Sequence, residues 1–341
     1  MANSINWGQG ANQNLIGFGQ GAANNTNGWG YSHIGSWSPE TDLYGIAGVL
    51  TASFNARVLA DGGVSEASSC LTQQLNSLQN IYTPPFDTDA QAFITAAAIT
   101  DTTQQTAINT LVEGLKTDGL WSKMKAVYPF VGGTASSHKY NLVNPVDSDA
   151  AFRLVFNGGW THSAQGALPN GTNGYADTKL VPSSVLTQDS THLSFYSRSN
   201  ILNTPQFEIG SFTIPTGLGS SSFGISYAPN GHFRNRVSTS TPSTGFIPTD
   251  ARGLFVSNRT TSTQQKAYQN GVLKETASVN SNGLSTLQIA IAANRTSSSS
   301  VSEYSSKQTA FTSIGDGLTD TDAANLYNRV QAFQTALNRQ V

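Results

Sequence analysis

Charge is what this chain has least of. Lys, Arg, Asp and Glu make up 11% of its 341 residues, less than half the roughly 25% of an ordinary soluble domain. The few charges nearly cancel, 18 basic against 20 acidic, which removes an electrostatic case for nucleic acid or for an anionic membrane surface. Cysteine occurs once, at Cys70, so an intrachain disulfide and a multi-cysteine metal site are both excluded. No apolar run approaches the roughly 18 residues that cross a bilayer. Met1-Ala2-Asn3-Ser4 is not a basic segment leading into an apolar one, so export on a secretory signal is not expected.

Ser, Thr, Asn, Gln and Gly stand where charge is missing, giving a surface hydrated through neutral hydrogen-bonding groups. Disorder does not follow, because 16 Phe, 11 Tyr and 5 Trp need burial. The length suits two or three units.

Residues 1–44 carry a short repeat. Trp7-Gly8-Gln9-Gly10-Ala11-Asn12 recurs as Phe18-Gly19-Gln20-Gly21-Ala22-Ala23, and a third copy opens at Trp29-Gly30-Tyr31, each aromatic eleven residues after the last. The flanking glycines argue against a helix. An extended chain setting Trp7, Phe18 and Trp29 one by one into a partner groove accounts for the spacing; a low-complexity leader with accidental periodicity is the alternative.

Residues 45–145 read as helical. Ala67, Leu71, Leu75 and Leu78 form one stripe over Val64 to Leu78, and Cys70 on its apolar side reads as a small buried hydrophobe. Pro84-Pro85 ends that run. Helices are expected over Asp89 to Ala98 and over Thr102 to Asp118, the second capped by Asp101 and stopped by Gly119, and a short one over Leu120 to Tyr128.

Residues 146–341 read as an antiparallel β-sandwich. Ala150–Phe156, His192–Arg198, Phe207–Ile214, Ser222–Ala228, Arg252–Ser257 and Leu287–Ala293 are short apolar runs between turn-forming residues. Asn270-Gly271 marks a two-residue hairpin. Thr319 with Asp322 makes a capping box, and Leu326, Val330, Phe333 and Leu337 give the helix behind it one apolar stripe. The fold class is therefore mainly β with a helical N-terminal region, a jelly-roll sandwich closed by one terminal helix.

Several segments carry a resemblance. Ala267-Tyr268-Gln269-Asn270-Gly271-Val272-Leu273 resembles the hairpin of concanavalin A-like, laminin G-type sandwiches, and Ile314-Gly315-Asp316-Gly317-Leu318-Thr319-Asp320 the last strand and helix of such domains in phage proteins. Arg57-Val58-Leu59-Ala60-Asp61-Gly62-Gly63, with Glu66-Ala67 and Cys70-Leu71, is similar to a segment of virion proteins of Bacteroidetes phages, as is the Trp-Gly-Gln-Gly leader. The resemblance implies a tail-fibre or head-fibre component of the virion, assembled in the host cytoplasm and exposed on the particle. It also implies partners among head, portal or tail proteins, and a homotrimer or ring.

Concanavalin-like sandwiches also host glycoside hydrolases, which need two carboxyl groups roughly 5 Å apart when retaining. The Glu-x-Asp-x-x-Glu pattern of that group is absent: Glu208 is the one Glu in a core strand, with Gly210 and Phe212 as same-face neighbours, while Glu275 and Glu303 fall in turn-like stretches. Asp177 with Glu208, from separate strands, stays open. There is no Gly-x-Ser-x-Gly elbow, Walker loop or His-Glu-x-x-His, and the five histidines have no ligand spacing. The expectation is no enzyme, no catalytic residue, no metal and no cofactor.

A sugar-binding surface is the remaining candidate. Gly158-Gly159-Trp160-Thr161-His162-Ser163 and Asn170-Gly171-Thr172-Asn173-Gly174-Tyr175-Ala176-Asp177 combine glycine loops with aromatic, amide and carboxylate side chains. Pyranose rings stack on aromatic faces while Asn and Asp bind hydroxyls, which singles out Trp160, His162, Asn173, Tyr175 and Asp177. The alternative is that Trp160 and Tyr175 are core or subunit-interface aromatics beside ordinary loops. His232-Phe233-Arg234-Asn235-Arg236 is a second polar patch, a subunit contact or a solvated strand, without an assigned role. The expected function is a virion appendage projecting a lectin-like domain, for host-glycan adhesion. Shell or tail decoration without host contact and a glycan depolymerase are the alternatives. Neither nucleic-acid binding nor membrane insertion is expected.

Overall fold

Three of the helices expected from sequence form where periodicity and capping placed them. The computed structural model describes residues 86–212, 220–227, 230–243 and 245–341; Trp7, Phe18, Trp29, Cys70 and the helix expected over Val64 to Leu78 lie outside them. Helix α1 (Thr88–Ala96) is capped by Asp87, which accepts from the Asp89 N–H at 2.9 Å. Helix α2 (Thr102–Thr117) is capped by Asp101, which accepts from the Gln104 N–H at 2.8 Å, and it stops at Gly119 with φ +70°. Helix α3 (Asp320–Ala336) has the expected capping box of Thr319 and Asp322 and buries Ala323, Leu326, Val330 and Phe333.

Among the described residues sixteen strands lie between α2 and α3: β1 (Met124–Tyr128), β2 (Val155–Asn157), β3 (Trp160–Ser163), β4 (Gly166–Pro169), β5 (Tyr175–Asp177), β6 (Thr191–Ser197), β7 (Ile209–Ser211), β8 (Ser221–Tyr227), β9 (His232–Val237), β10 (Gly253–Arg259), β11 (Gln265–Gln269), β12 (Val272–Ala277), β13 (Ala290–Ile291), β14 (Asn294–Arg295), β15 (Val301–Ser302) and β16 (Thr309–Gly315). One sheet runs β12-β11-β10-β6-β16-β4-β3, with β1 also on β16. The second runs β15-β14-β7-β13-β5-β2, with β8 on β7 and β9 on β8. Among the described residues strand-to-strand pairing is antiparallel except for the β14–β7 contact, and two isolated bridges, Thr204 with Tyr227 and Phe207 with Tyr304, are also parallel. The Asn270-Gly271 hairpin joins β11 to β12 with both turn residues at positive φ, 52° and 73°, the conformation for which Asn-Gly is selected.

The two sheets close on one apolar layer that includes Leu193, Phe195, Phe255 and Ile314 from the first and Ile209, Phe223, Ile225, Phe233 and Ile291 from the second. A second apolar layer lies on the other face of the first sheet, where Tyr196, Leu254, Val256 and Phe311 meet the stripes of α1, α2 and α3. The order is helices, sheet, sheet.

Phe86 to Val341 is one compact unit, so the expected boundary at 145 falls inside it. The segment expected as a helix over Leu120 to Tyr128 is instead a 3-10 turn, Trp121–Lys123, followed by β1. Its residues are buried on both sides, Ala126 and Tyr128 in the intersheet core and Met124 and Val127 in the helical layer. A strand covered on both faces shows no two-residue alternation, which is why its spacing misleads.

Candidate functional site

The five residues expected at a sugar site lie on or beside two loops that the fold places side by side, Trp160 and His162 in β3, Tyr175 and Asp177 in β5, and Asn173 in the loop between β4 and β5. Asn157-Gly158-Gly159 carries the chain from β2 in the second sheet to β3 in the first, and Asn170 to Gly174 joins β4 to β5. The backbones touch: a Cβ on Gly158, which sits at φ +69°, would lie 2.0 Å from the Asn173 carbonyl oxygen. Only glycine fits there.

Asn170 organises the second loop. Its Oδ1 accepts from the N–H groups of Thr172, Asn173 and Gly174 at 3.0–3.1 Å, an Asx-type turn. Its Nδ2 donates to Asn173 Oδ1 at 2.7 Å, which also accepts from Gly159 N–H at 3.0 Å. The Trp160 indole N–H donates to the carbonyls of Asn157 and Tyr175 at 3.1 and 3.2 Å. His162 stacks on Trp160 with centroids 6.0 Å apart, and Phe156 packs edge-on against both rings.

Trp160, His162 and Asn173 therefore gather beside the backbone carbonyl of Tyr175, whereas the Tyr175 ring lies against Tyr304 and beneath the Arg295 guanidinium, with Asp177 two residues further along β5. Most of their polar groups serve the fold itself. The Trp160 N–H and Asn173 Oδ1 hold the loops, and Asp177 is ion-paired with Arg295. What remains for a ligand is the half-buried ring faces of Trp160 and Tyr175 and the exposed Thr172 and Asn173.

His162 has a further partner that the sequence did not reveal. Its Nδ1 lies 2.9 Å from Nδ1 of His138. Burial, reinforced by the neighbouring His162 and Arg339, pushes His138 down to about 3, and burial lowers His162 as well. His138 Nε2 is buried without a partner, so the tautomer that avoids a stranded donor has His138 donating from Nδ1. His192 is likewise buried and neutral, pushed down to about 4 by burial, with Nδ1 2.6 Å from the Asp316 carbonyl and Nε2 3.0 Å from Ser313 Oγ.

Acid should therefore destabilise the protein. Unfolded histidines take up a proton near 6.5, whereas these folded ones hold out to lower pH. Their contribution is complete above about pH 6.5 and is lost as pH falls towards 4 and then 3. For His192 alone this amounts to about 3 kcal/mol. Thermal melts from pH 7 to pH 4 should show a falling Tm, and His192→Gln should flatten that slope; an unchanged slope would count against the assignment.

A second cluster lies on the outer face of the second sheet, beneath the segment 292–307. Glu208 is fully buried, accepts from Ile225 N–H at 2.6 Å and Ser305 Oγ at 3.2 Å, and pairs with the equally buried Lys307 at 2.9 Å. Glu303 accepts from the Tyr227 hydroxyl, and from Asn294 Nδ2 at 3.2 Å. Asp177, Glu208 and Glu303 are each engaged by a separate cation, hydroxyl or amide. Arg295, Glu303 and Lys307 sit in a Ser- and Thr-rich stretch whose sequence carries no signal for these roles. Among the described residues no group of three or more His, Cys, Asp or Glu converges as a metal site, and no helix is long and apolar enough to cross a membrane.

No family model matches the chain, and no curated protein matches it. Solved structures do. Domain 4 of a GH43 extracellular arabinanase from Geobacillus stearothermophilus, in complex with arabinotriose, aligns over 60% of this chain and 98% of its own length at 16% identity and a TM-score of 0.41. A botulinum neurotoxin type C structure, described as entering cells through two ganglioside molecules, aligns over 63% of this chain and 53% of its own length at 15% identity and a TM-score of 0.38. The botulinum neurotoxin serotype D binding domain aligns over 61% and 52% at 11% identity and a TM-score of 0.39. The chain spans about half the length of these toxin structures. Its own sheets and layers define it as an antiparallel β-sandwich with helices on one face.

Proposed function

We propose that this protein is a non-enzymatic appendage of a phage particle, whose sandwich binds glycan on the host surface. The observation that carries the glycan reading is the placement of Trp160, Asn173 and Tyr175 on or beside two adjoining Gly/Asn loops, with both rings partly exposed and the loop backbones already fixed. A ring held in place by its own N–H stacks on a pyranose at little conformational cost. The virion reading is supported by the resemblance of the leader and of Arg57 to Leu71, and by the eleven-residue aromatic repeat. The leader attaches the chain to head, portal or tail proteins, and the chain self-associates as a trimer or ring.

A glycan array probed with the whole protein should show retention of a host-surface polysaccharide. Trp160→Leu and Tyr175→Leu should each lower that affinity at least tenfold, with Tm tracked to separate binding from folding. An array without any binding favours decoration of the shell, and release of reducing ends from host capsule would establish a depolymerase. Deleting residues 2–35 should abolish incorporation into particles; normal incorporation would defeat docking through Trp7, Phe18 and Trp29.

A further inference from the structure

The polar run His232 to Arg236 lies in β9, which pairs with β8 and is bonded on its other side to Ser243 and Phe246 through Asn235 and Phe233. Phe233 faces the intersheet core, so His232, Arg234 and Arg236 share the outer face. The residues opposite on β8 are small: Arg234 pairs with Gly224 and Arg236 with Ser222, and Ser222 in turn with Gly210 on β7. The two guanidinium groups thus stand over a strip without bulky side chains. Each is braced against a ring, Arg234 at 5.1 Å from the centre of Tyr227 and Arg236 at 4.5 Å from that of Phe212.

Among the described residues neither has a carboxylate at ion-pair distance. Arg153, Arg252, Arg295 and Arg329 are ion-paired with aspartates. Arg198, Arg259 and Arg339 each donate to three or more oxygens. Among the described residues Arg234 donates no hydrogen bond, and Arg236 donates one, from Nε to the Ser240 carbonyl at 3.3 Å. Yet Arg236 is only 9% exposed. Burial first, and then the charge of Arg234, bring Arg236 down to about 10. Glu303 acts on Arg236 only through space, its oxygens accepting from Tyr227 and Asn294. Ser222 Oγ is also buried without a partner. Charges placed on an edge strand only to discourage aggregation stand out in solvent; two cations side by side, one of them buried against a ring, do not match that use.

We propose that Arg234 and Arg236 form a subsite for an anionic group, carboxylate or sulfate, on an acidic saccharide. This rests on the glycan reading above and narrows it to a charged ligand class. Guanidinium planes braced by aromatic rings present their N–H edges as paired donors, the geometry that suits a planar carboxylate or a sulfate oxygen pair.

The whole protein should be titrated with polygalacturonate, its methyl ester, dextran and dextran sulfate at two salt concentrations, alongside R234Q/R236Q. The anionic polymers should bind more tightly than the methyl ester or dextran, more weakly at high salt, and at least tenfold more weakly to the double variant. Preference between polygalacturonate and dextran sulfate identifies the anion. R234Q alone, at a half-exposed position, serves if the double variant melts early, and a several-fold loss is then expected. Equal affinity of variant and wild type for the acidic polymers, or equal affinity of the wild type for duplex DNA, overturns the subsite. Neutral polysaccharide bound without gain from acidic groups overturns it while leaving the glycan reading intact; failure to bind any saccharide overturns both.

Discussion

Replacing Lys307 with methionine should cost about 3–5 kcal/mol of folding stability, because it leaves a buried carboxylate without its counter-ion. Both members of the pair are essentially inaccessible, with side-chain exposures of 1% for Lys307 and 0% for Glu208. Glu208 would keep the Ile225 N–H and Ser305 Oγ as donors, but two hydrogen bonds do not offset a charge removed from water. Glu208→Gln in the same background should recover most of the loss, since the neutral amide carries no charge, and its oxygen can accept from the Ile225 N–H while its Nε2 donates to Ser305 Oγ. A double-mutant cycle by urea denaturation measures the coupling. A loss under about 1 kcal/mol would mean that the segment relaxes and lets water reach Glu208.

Arg339→Ala should be of similar size, about 3–5 kcal/mol, for the opposite electrostatic reason. Arg339 is 1% exposed and has no carboxylate partner. Its guanidinium donates to Gln334 Oε1 at 2.6 Å, to the carbonyls of Pro129 and Phe130 at 2.6 and 2.7 Å, to Ala310 at 3.0 Å and to Ala164 at 3.4 Å, and it lies against the Phe333 ring. One side chain thus ties the end of α3 to the exit of β1 and to the start of β16. Burial brings it down to about 9, which measures how much the charged form gives up by leaving water. Truncation opens a cavity and strands several carbonyls at once. Arg339→Lys should restore less than half, because a single ammonium cannot reach acceptors arranged around a planar fork. Thermal and chemical denaturation of both variants decide the matter; full rescue by Lys would show that charge alone, without the fork, suffices.

The parts of the fold that could be read from sequence are those fixed by neighbours in the chain. Thr319 and Asp322 lie within one helical turn, and Asn270-Gly271 needs only its own two positive φ values. Asp101 before α2 is similar. What could not be read depends on distant packing. Met124 to Tyr128 looks helical until its two covered faces are known. Strand β13 is only Ala290–Ile291, although Leu287, Ile289 and Ile291 alternate as if in a longer one.

The candidate sugar site divides in the same way. Trp160, Asn173 and Tyr175 stand out because aromatic and amide residues recur among glycines. Nothing in the sequence tells that the indole N–H and the Asn173 oxygen are already bonded within the loops. Glu208 was visible as an acid in a strand, but its partner is 99 residues further along the chain, as is evident from their numbers. Ion pairs at that separation leave no local pattern.

The layer of helices is assembled from both ends of the described unit, and this bears on how the chain reaches its native state. α1 and α2 carry apolar stripes that are covered only when α3 arrives, and β1 pairs with β16, almost two hundred residues later. During synthesis the early helices and the first strand therefore wait, uncovered, for the last strand and helix to leave the ribosome. Such long-range closure makes folding slow and keeps it nearly all-or-none. A chaperone-dependent window, followed by a single late locking step, is the kinetic signature to expect.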